Sequence, residues 1–262
     1  MRPYLALARA QARAALAYRL SYVLSLFALI FQFFAMLAIW TVLLGSGSTV
    51  VGFDLPRMKA YLLVGFVSGL LVSQGADWRM SSRIQDGMIA LDLTKPVDYQ
   101  KARFAEVIGG VWTDILAGLT VCAAVLLATG PVPAPAPAAA LLFGTSMLVV
   151  VPLRFLLVYL SALACFYTQN YLGVLWARLA IVSVFSGALV PLTFYPQWLQ
   201  ASAAVLPFAS LASTPGLIFL GQVQGTEALR LIALQLFWVL VLWFGARLIF
   251  RRAVQRVTIH GG

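Results

Sequence analysis

Long apolar runs separated by short polar breaks set the rhythm of this chain. Residues 2–19, RPYLALARAQARAALAYR, form a mixed helical stretch. At 100° per residue Arg2, Arg9 and Arg13 fall within about 40° of one another, and Tyr4, Leu7, Gln11, Ala14 and Tyr18 line the opposite face. This predicts an amphipathic interfacial helix over 1–20, its basic side toward headgroups or a partner. A signal peptide is the rival reading, but the apolar run after Arg19 is too long and no small-residue cleavage site follows it. Six apolar runs then cover about 21–44, 58–76, 105–129, 138–165, 171–191 and 228–250. A bilayer core about 30 Å thick needs roughly 20 helical residues per crossing, so each is read as a span.

The breaks carry their own signals. GSGS ends the first run, and PVPAPAPAAA is a stiff turn that stops the third. Residues 192–225 hold three prolines between apolar stretches too short to cross, which predicts short re-entrant or interfacial helices at the outer face. Tyr195 and Trp198 there fit an aromatic belt.

Composition agrees with the pattern. The chain is 62% hydrophobic and 10% charged, with a mean hydropathy of +0.95. Backbone groups in lipid must be satisfied within the segment, and continuous apolar runs choose helices over a barrel. The expected fold is an all-α integral membrane protein with six transmembrane helices in one domain over 1–262. The net charge of +10 fits cytoplasmic flanks better than nucleic acid, because the basic residues sit at span ends without interleaved aromatics. Arg2, Arg9, Arg13, Arg19, five basic residues of the 77–106 block, Arg247, Arg251, Arg252 and Arg256 fall on one side; Arg57, Lys59 and Arg230 fall on the other. The positive-inside rule puts both termini and the block in the cytoplasm.

Little in the sequence speaks for catalysis. It contains no GxxxxGK[ST], GxSxG, HExxH or CxxC motif. Cys122, Cys165 and His260 offer neither a metal site nor a disulfide framework, so no catalytic residue, metal or bound cofactor is expected. Glu106 and Asp114 are eight residues apart on one span, some 12 Å along the helix, too far to share a proton. Charges inside apolar helices cost at least about 2.5 kcal/mol at the membrane centre. Asp114, Arg154 and Arg178 therefore form a candidate intramembrane cluster, Asp114 pairing with Arg154 or Arg178; snorkelling of the arginines is the alternative.

Residues 77–106 carry five of the eight acids and five of the eighteen basic residues. Ser82-Arg83-Ile84-Gln85 has capping-box form, predicting a helix from about Arg83 to Leu93 that Thr94-Lys95-Pro96 ends. Ile84, Met88, Leu91 and Ile89 are expected to share a face, with Arg83, Asp86 and Asp92 more exposed. Asp98 or the preceding proline turn then starts a helix leading into the third span. The block is either a docking surface or a solvated loop whose charges keep it out of lipid.

Here the sequence resembles a family. The I-x-x-G…L-x-x-P-V course after the second run is similar to that of ABC-2 type transporter permeases. SGALVPLTFYPQWLQASAAVLPF at 186–208 resembles the S-G-x-x-x-P-L-x-x-x-P-x-W-L…L-P-F signature of a bacterial drug-export-type subfamily, and Ala17-Tyr18-Arg19 also fits. The resemblance implies a permease subunit of an ATP-binding-cassette exporter in a bacterial inner membrane. Two permeases, identical or paralogous, would pair with separate ATPase subunits that bind ATP and Mg. It also implies a cytoplasmic coupling helix between spans two and three that seats in the ATPase. The implied contacts are Arg83, Gln85, Asp86, Gly87, Met88, Ile89 and Asp92, with Arg9 and Arg13 as a second contact. An ATP-independent channel or carrier and a membrane scaffold are the rival functions.

Overall fold

Capping residues and prolines decide where the helices begin and stop. The fold is a computed structural model that describes residues 2–15, 19–45, 49–72, 74–168 and 170–255. The Ala17-Tyr18 pair, positions 46–48 of the GSGS breaker, Arg256 and His260 lie outside the described residues. In chain order the α-helices are α1 (Arg2–Ala15), α2 (Arg19–Leu44), α3 (Leu55–Leu70), α4 (Gln74–Gln85), α5 (Ile89–Leu93) and α6 (Tyr99–Thr129). They continue as α7 (Pro137–Leu163), α8 (Tyr171–Phe185), α9 (Gln197–Val205), α10 (Ala209–Phe219) and α11 (Gly225–Val254). Asp54 caps α3 by accepting from the Arg57 amide at 2.9 Å, with Pro56 in the first turn. Asp98 caps α6 by accepting from the Lys101 amide at 3.0 Å, as the sequence predicts. Gly130, at φ 78°, ends α6; the prolines that follow stay extended until Pro137 opens α7.

Among the described residues, four helical segments are long and apolar enough to cross a bilayer: Tyr22–Leu44, Tyr99–Thr129, Pro137–Phe166 and Gly225–Val254. The α9–α10 pair, bent by 103°, makes a fifth candidate. The other two expected spans are shorter than read. α3 has 16 residues and α8 has 15, about 24 and 22 Å of helix. The run at 58–76 is cut after Leu70, where Val72 takes a φ of 64°, and α4 begins two residues later.

α3 lies at the centre of the bundle, packed by α10, α2 and α6, and α7 packs against α11, α10 and α4. Tyr61 of α3 is fully buried, and its hydroxyl donates to the Gly187 carbonyl at 2.8 Å. Gly216 of α10 lies flat on its ring; a Cβ there would come within 2.7 Å of Tyr61 Cε2. A second buried chain joins three helices: Ser146 Oγ of α7 donates to Gln235 Oε1 of α11 at 3.0 Å, and Gln235 Nε2 donates to the Ser210 carbonyl of α10 at 2.7 Å. In an apolar surrounding such bonds replace those that water would supply.

α1 packs along α6 by its apolar side. Gly109 makes this possible, since a Cβ there would overlap the Ala8 backbone. Tyr4, Leu7 and Gln11 turn inward as expected and Arg9 and Arg13 are exposed, but Ala14, expected on the inward face, is exposed too.

Lys59 of α3 is buried, and its ammonium donates to Thr129 O (3.1 Å), Thr129 Oγ1 (3.2 Å), Gly130 O (2.9 Å) and Pro131 O (3.1 Å). A cation thus closes the C-terminal end of α6, where carbonyls lack helical partners. Lys59→Met should lower stability by about 2 kcal/mol, the scale of hydrogen bonds to a charged group. Equilibrium unfolding in mixed micelles measures it.

Candidate functional site

The charged block folds into a corner built from α4, α5 and the first turns of α6. α4 already runs from Gln74, so the Ser82–Gln85 sequence does not open a helix. Ser82 Oγ instead donates back to the Arg79 carbonyl, a bond within the helix. The helix expected over Arg83–Leu93 is broken. α4 stops at Gln85, Gly87 turns the chain at φ 72°, and α5 resumes at Ile89. The Pro96 stop holds, with α5 ending at Leu93.

Asp92 corrects the reading of that block most. Expected at the surface, it is 4% exposed and sits under three cations. Arg83 grips it bidentately, Nε to Oδ2 at 2.7 Å and Nη2 to Oδ1 at 2.8 Å. Lys95 Nζ donates to Oδ1 at 2.8 Å, and Arg103 Nη2 of α6 lies 3.8 Å from Oδ2. Arg103 also bridges to Glu106 at 3.0 Å and lies over the Tyr99 ring. Burial pushes the Asp92 carboxyl up, but the hydrogen bonds from Arg83 and Lys95 and the charges of Arg103 and Arg83 outweigh it and hold it below the ordinary value of 3.8.

The expected apolar face also divides. Ile84 and Ile89 enter the core beside Tyr99, whereas Met88 and Leu91 point outward at 44% and 56% exposure. Leu93, Asp86 and Gly87 are exposed with them, and Gln85 is half-buried. The corner therefore presents an apolar tip, flanked by Asp86, on an ionic clamp that ties α5 to α4 and α6. The i,i+3 spacing of Asp92 and Lys95 was a signal for the clamp; Arg103, eleven residues on, left none.

The intramembrane cluster is rearranged as well. Arg178 of α8 takes Asp77 of α4 as its ion-pair partner, a residue not considered from the sequence. Asp77 is 2% exposed, so the pair is well shielded. Arg154 of α7 reaches Gly69 of α3. Asp114 lies within electrostatic reach of Arg154, Arg79 and Tyr22. Cys122 and Cys165 are free thiols, and among the described residues no group of three His, Cys, Asp or Glu could hold a metal ion.

Comparison with known proteins settles the family. The family model described as "ABC-2 family transporter protein" matches residues 17–261, nearly the whole chain. The chain belongs to the ABC-2 transporter family. No curated protein matches it. As a member of the ABC-2 family with four to five apolar span candidates, it is a multi-pass membrane protein of the transporter permease type. The match takes in the α4–α6 corner, α11 and the buried α10 of this ABC-2 protein, and leaves all of α1 outside.

Two outcomes follow from the ion pairs. Asp92→Asn leaves three cations around a neutral group and should cost on the order of 3 kcal/mol at neutral pH. Because the folded carboxyl titrates below its unfolded value, this stability is present above pH 3.8 and is lost as pH falls toward the folded value. Melting curves of wild type and D92N should therefore converge in acid. For Asp77 and Arg178, a double-mutant cycle to alanine should return a coupling of about 1–3 kcal/mol.

Proposed function

We infer that this ABC-2 protein is the permease subunit of an ATP-driven exporter and that the α5 corner is where its ATPase docks. The observation that carries the reading is the outward apolar tip of Met88, Leu91 and Leu93 on a base held rigid by Asp92. Exposed large apolar side chains beside a charged rim are what a protein groove accommodates. A rigid base matters because a loose loop would absorb a partner's displacement, whereas the clamp passes it to α4 and α6.

The role of each residue changes accordingly. Met88, Leu91, Asp86 and Gly87 form the contact surface, with Leu93 at its edge. Arg83, Ile89 and Asp92 hold that surface in place from beneath. Arg9 and Arg13, exposed on α1, provide a second basic contact. ATP and Mg belong to the partner ATPase.

In this reading six segments cross the membrane, the short α3 at the centre of the bundle and the short, largely exposed α8 at its edge, with both termini in the cytoplasm. The α9–α10 pair re-enters from the outer face. Two such permeases, alike or paralogous, enclose the substrate path in a bacterial inner membrane.

Leu91→Asp with Met88→Lys should abolish co-purification of a P-loop ATPase while the permease keeps its melting temperature in detergent. Asp86→Lys should weaken the association less, since a rim charge contributes less than a buried apolar anchor. An ATPase that stays bound to the Leu91/Met88 double variant overturns the docking site. A chain that transports with no ATPase present overturns the function.

A further inference from the structure

Beside the α5 corner is a cavity of about 220 Å³, lined by Leu93, Val97, Asp98, Tyr99, Gln100, Arg247, Phe250 and Arg251. A water occupies about 30 Å³ of liquid, so this space admits a group of several heavy atoms. Its charge is net positive. Asp98 is already committed: its Oδ2 accepts from Arg247 Nη2 at 2.8 Å, and its Oδ1 accepts from the Lys101 amide. Arg251 is exposed and has no carboxylate partner among the described residues. On the cavity wall Gln100 is 3% exposed; its Nε2 donates to the Trp243 carbonyl at 3.1 Å, and its Oε1 has no donor among the described residues.

The approach to this cavity is apolar. Phe237, Leu240, Phe244 and Leu248 of α11 are all exposed. At 100° per residue they fall, together with Arg247 and Arg251, within about 100° of the helix circumference. One stripe thus runs for about 16 Å from Leu240 along an oily surface and ends at two guanidiniums. Such a surface complements a molecule with a hydrocarbon tail and an anionic head. A protein partner would have to match a narrow strip of a lipid-length helix, which favours lipid.

We propose that an anionic phospholipid binds here, its phosphate on Arg251 and Arg247, its acyl chains along the α11 stripe, and a headgroup hydroxyl toward Gln100. The leaflet is the cytoplasmic one, which rests on the topology proposed above. Leu93, the last residue of α5, lines the same cavity, so the bound headgroup touches the segment assigned to the ATPase. Lipid occupancy and docking therefore share one corner.

The test uses the full chain, purified alone in mild detergent, with native mass spectrometry and thermal melting as readouts. The probes are phosphatidylglycerol, phosphatidylcholine of the same acyl chains, and inorganic phosphate. Phosphatidylglycerol should be retained and should raise the melting temperature; the other two should not. Arg251→Gln should weaken phosphatidylglycerol binding about tenfold, the loss of one charge-assisted contact. Arg230→Gln, an exposed arginine at the opposite end of α11, should leave it unchanged. Equal binding of the two lipids overturns the proposal, as does an R251Q response equal to wild type or an R230Q loss equal to that of R251Q. Stabilisation by inorganic phosphate alone would make this a free-anion site and would overturn the lipid. No ATPase is present, so a failure here leaves the docking reading standing, and a failure of docking leaves this result interpretable.

Discussion

An apolar medium supplies no hydrogen bonds, and the packing of this permease follows from how its charged and polar groups find partners inside the protein. Lys59 meets the carbonyl end of α6, Arg178 meets Asp77, Asp92 meets three cations, and Asp98 meets Arg247. Each of these contacts crosses between elements far apart in the chain or joins a short element to a long one. They set the register in which the apolar faces pack. Apolar side chains in lipid have little reason to prefer one neighbour over another, so specificity falls to shape and to these polar contacts.

The two ends of the bundle use this principle differently. Around α3 and α10 the polar contacts are neutral and buried, as with Tyr61 on Gly187 and Gln235 between Ser146 and Ser210. They fasten α10 to the centre. At the α4–α6 corner the contacts are ionic and leave an apolar tip outside. The buried Asp92 is costly in isolation, but three cations and a bidentate arginine satisfy it, and removing the carboxylate would leave them unbalanced.

Features written in local sequence were readable before the structure. The Asp98 cap, the Pro96 stop, the proline-rich turn after α6 and the inward face of α1 each depend on residues within a turn or two of one another. The block at 83–93 was misread because a capping box and an internal Ser-to-carbonyl bond share the same letters. Which one forms depends on whether a helix is already running, and that was set upstream at Val72. Asp92 was placed at the surface because most carboxylates are; Arg103, its third cation, comes from the next helix.

Sequence alone determined that this chain lives in a membrane, that it is helical, and to which family it belongs. Hydrophobic run length and residue order suffice for that, because lipid forces each crossing to satisfy its own backbone. The tertiary structure decided which charges meet. It gave Arg178 Asp77 as its partner and left Asp114 within reach of Arg154, buried Asp92, and turned Met88 and Leu91 outward. Those outcomes depend on where separate helices lie beside each other, a property of the packed bundle that no single segment encodes.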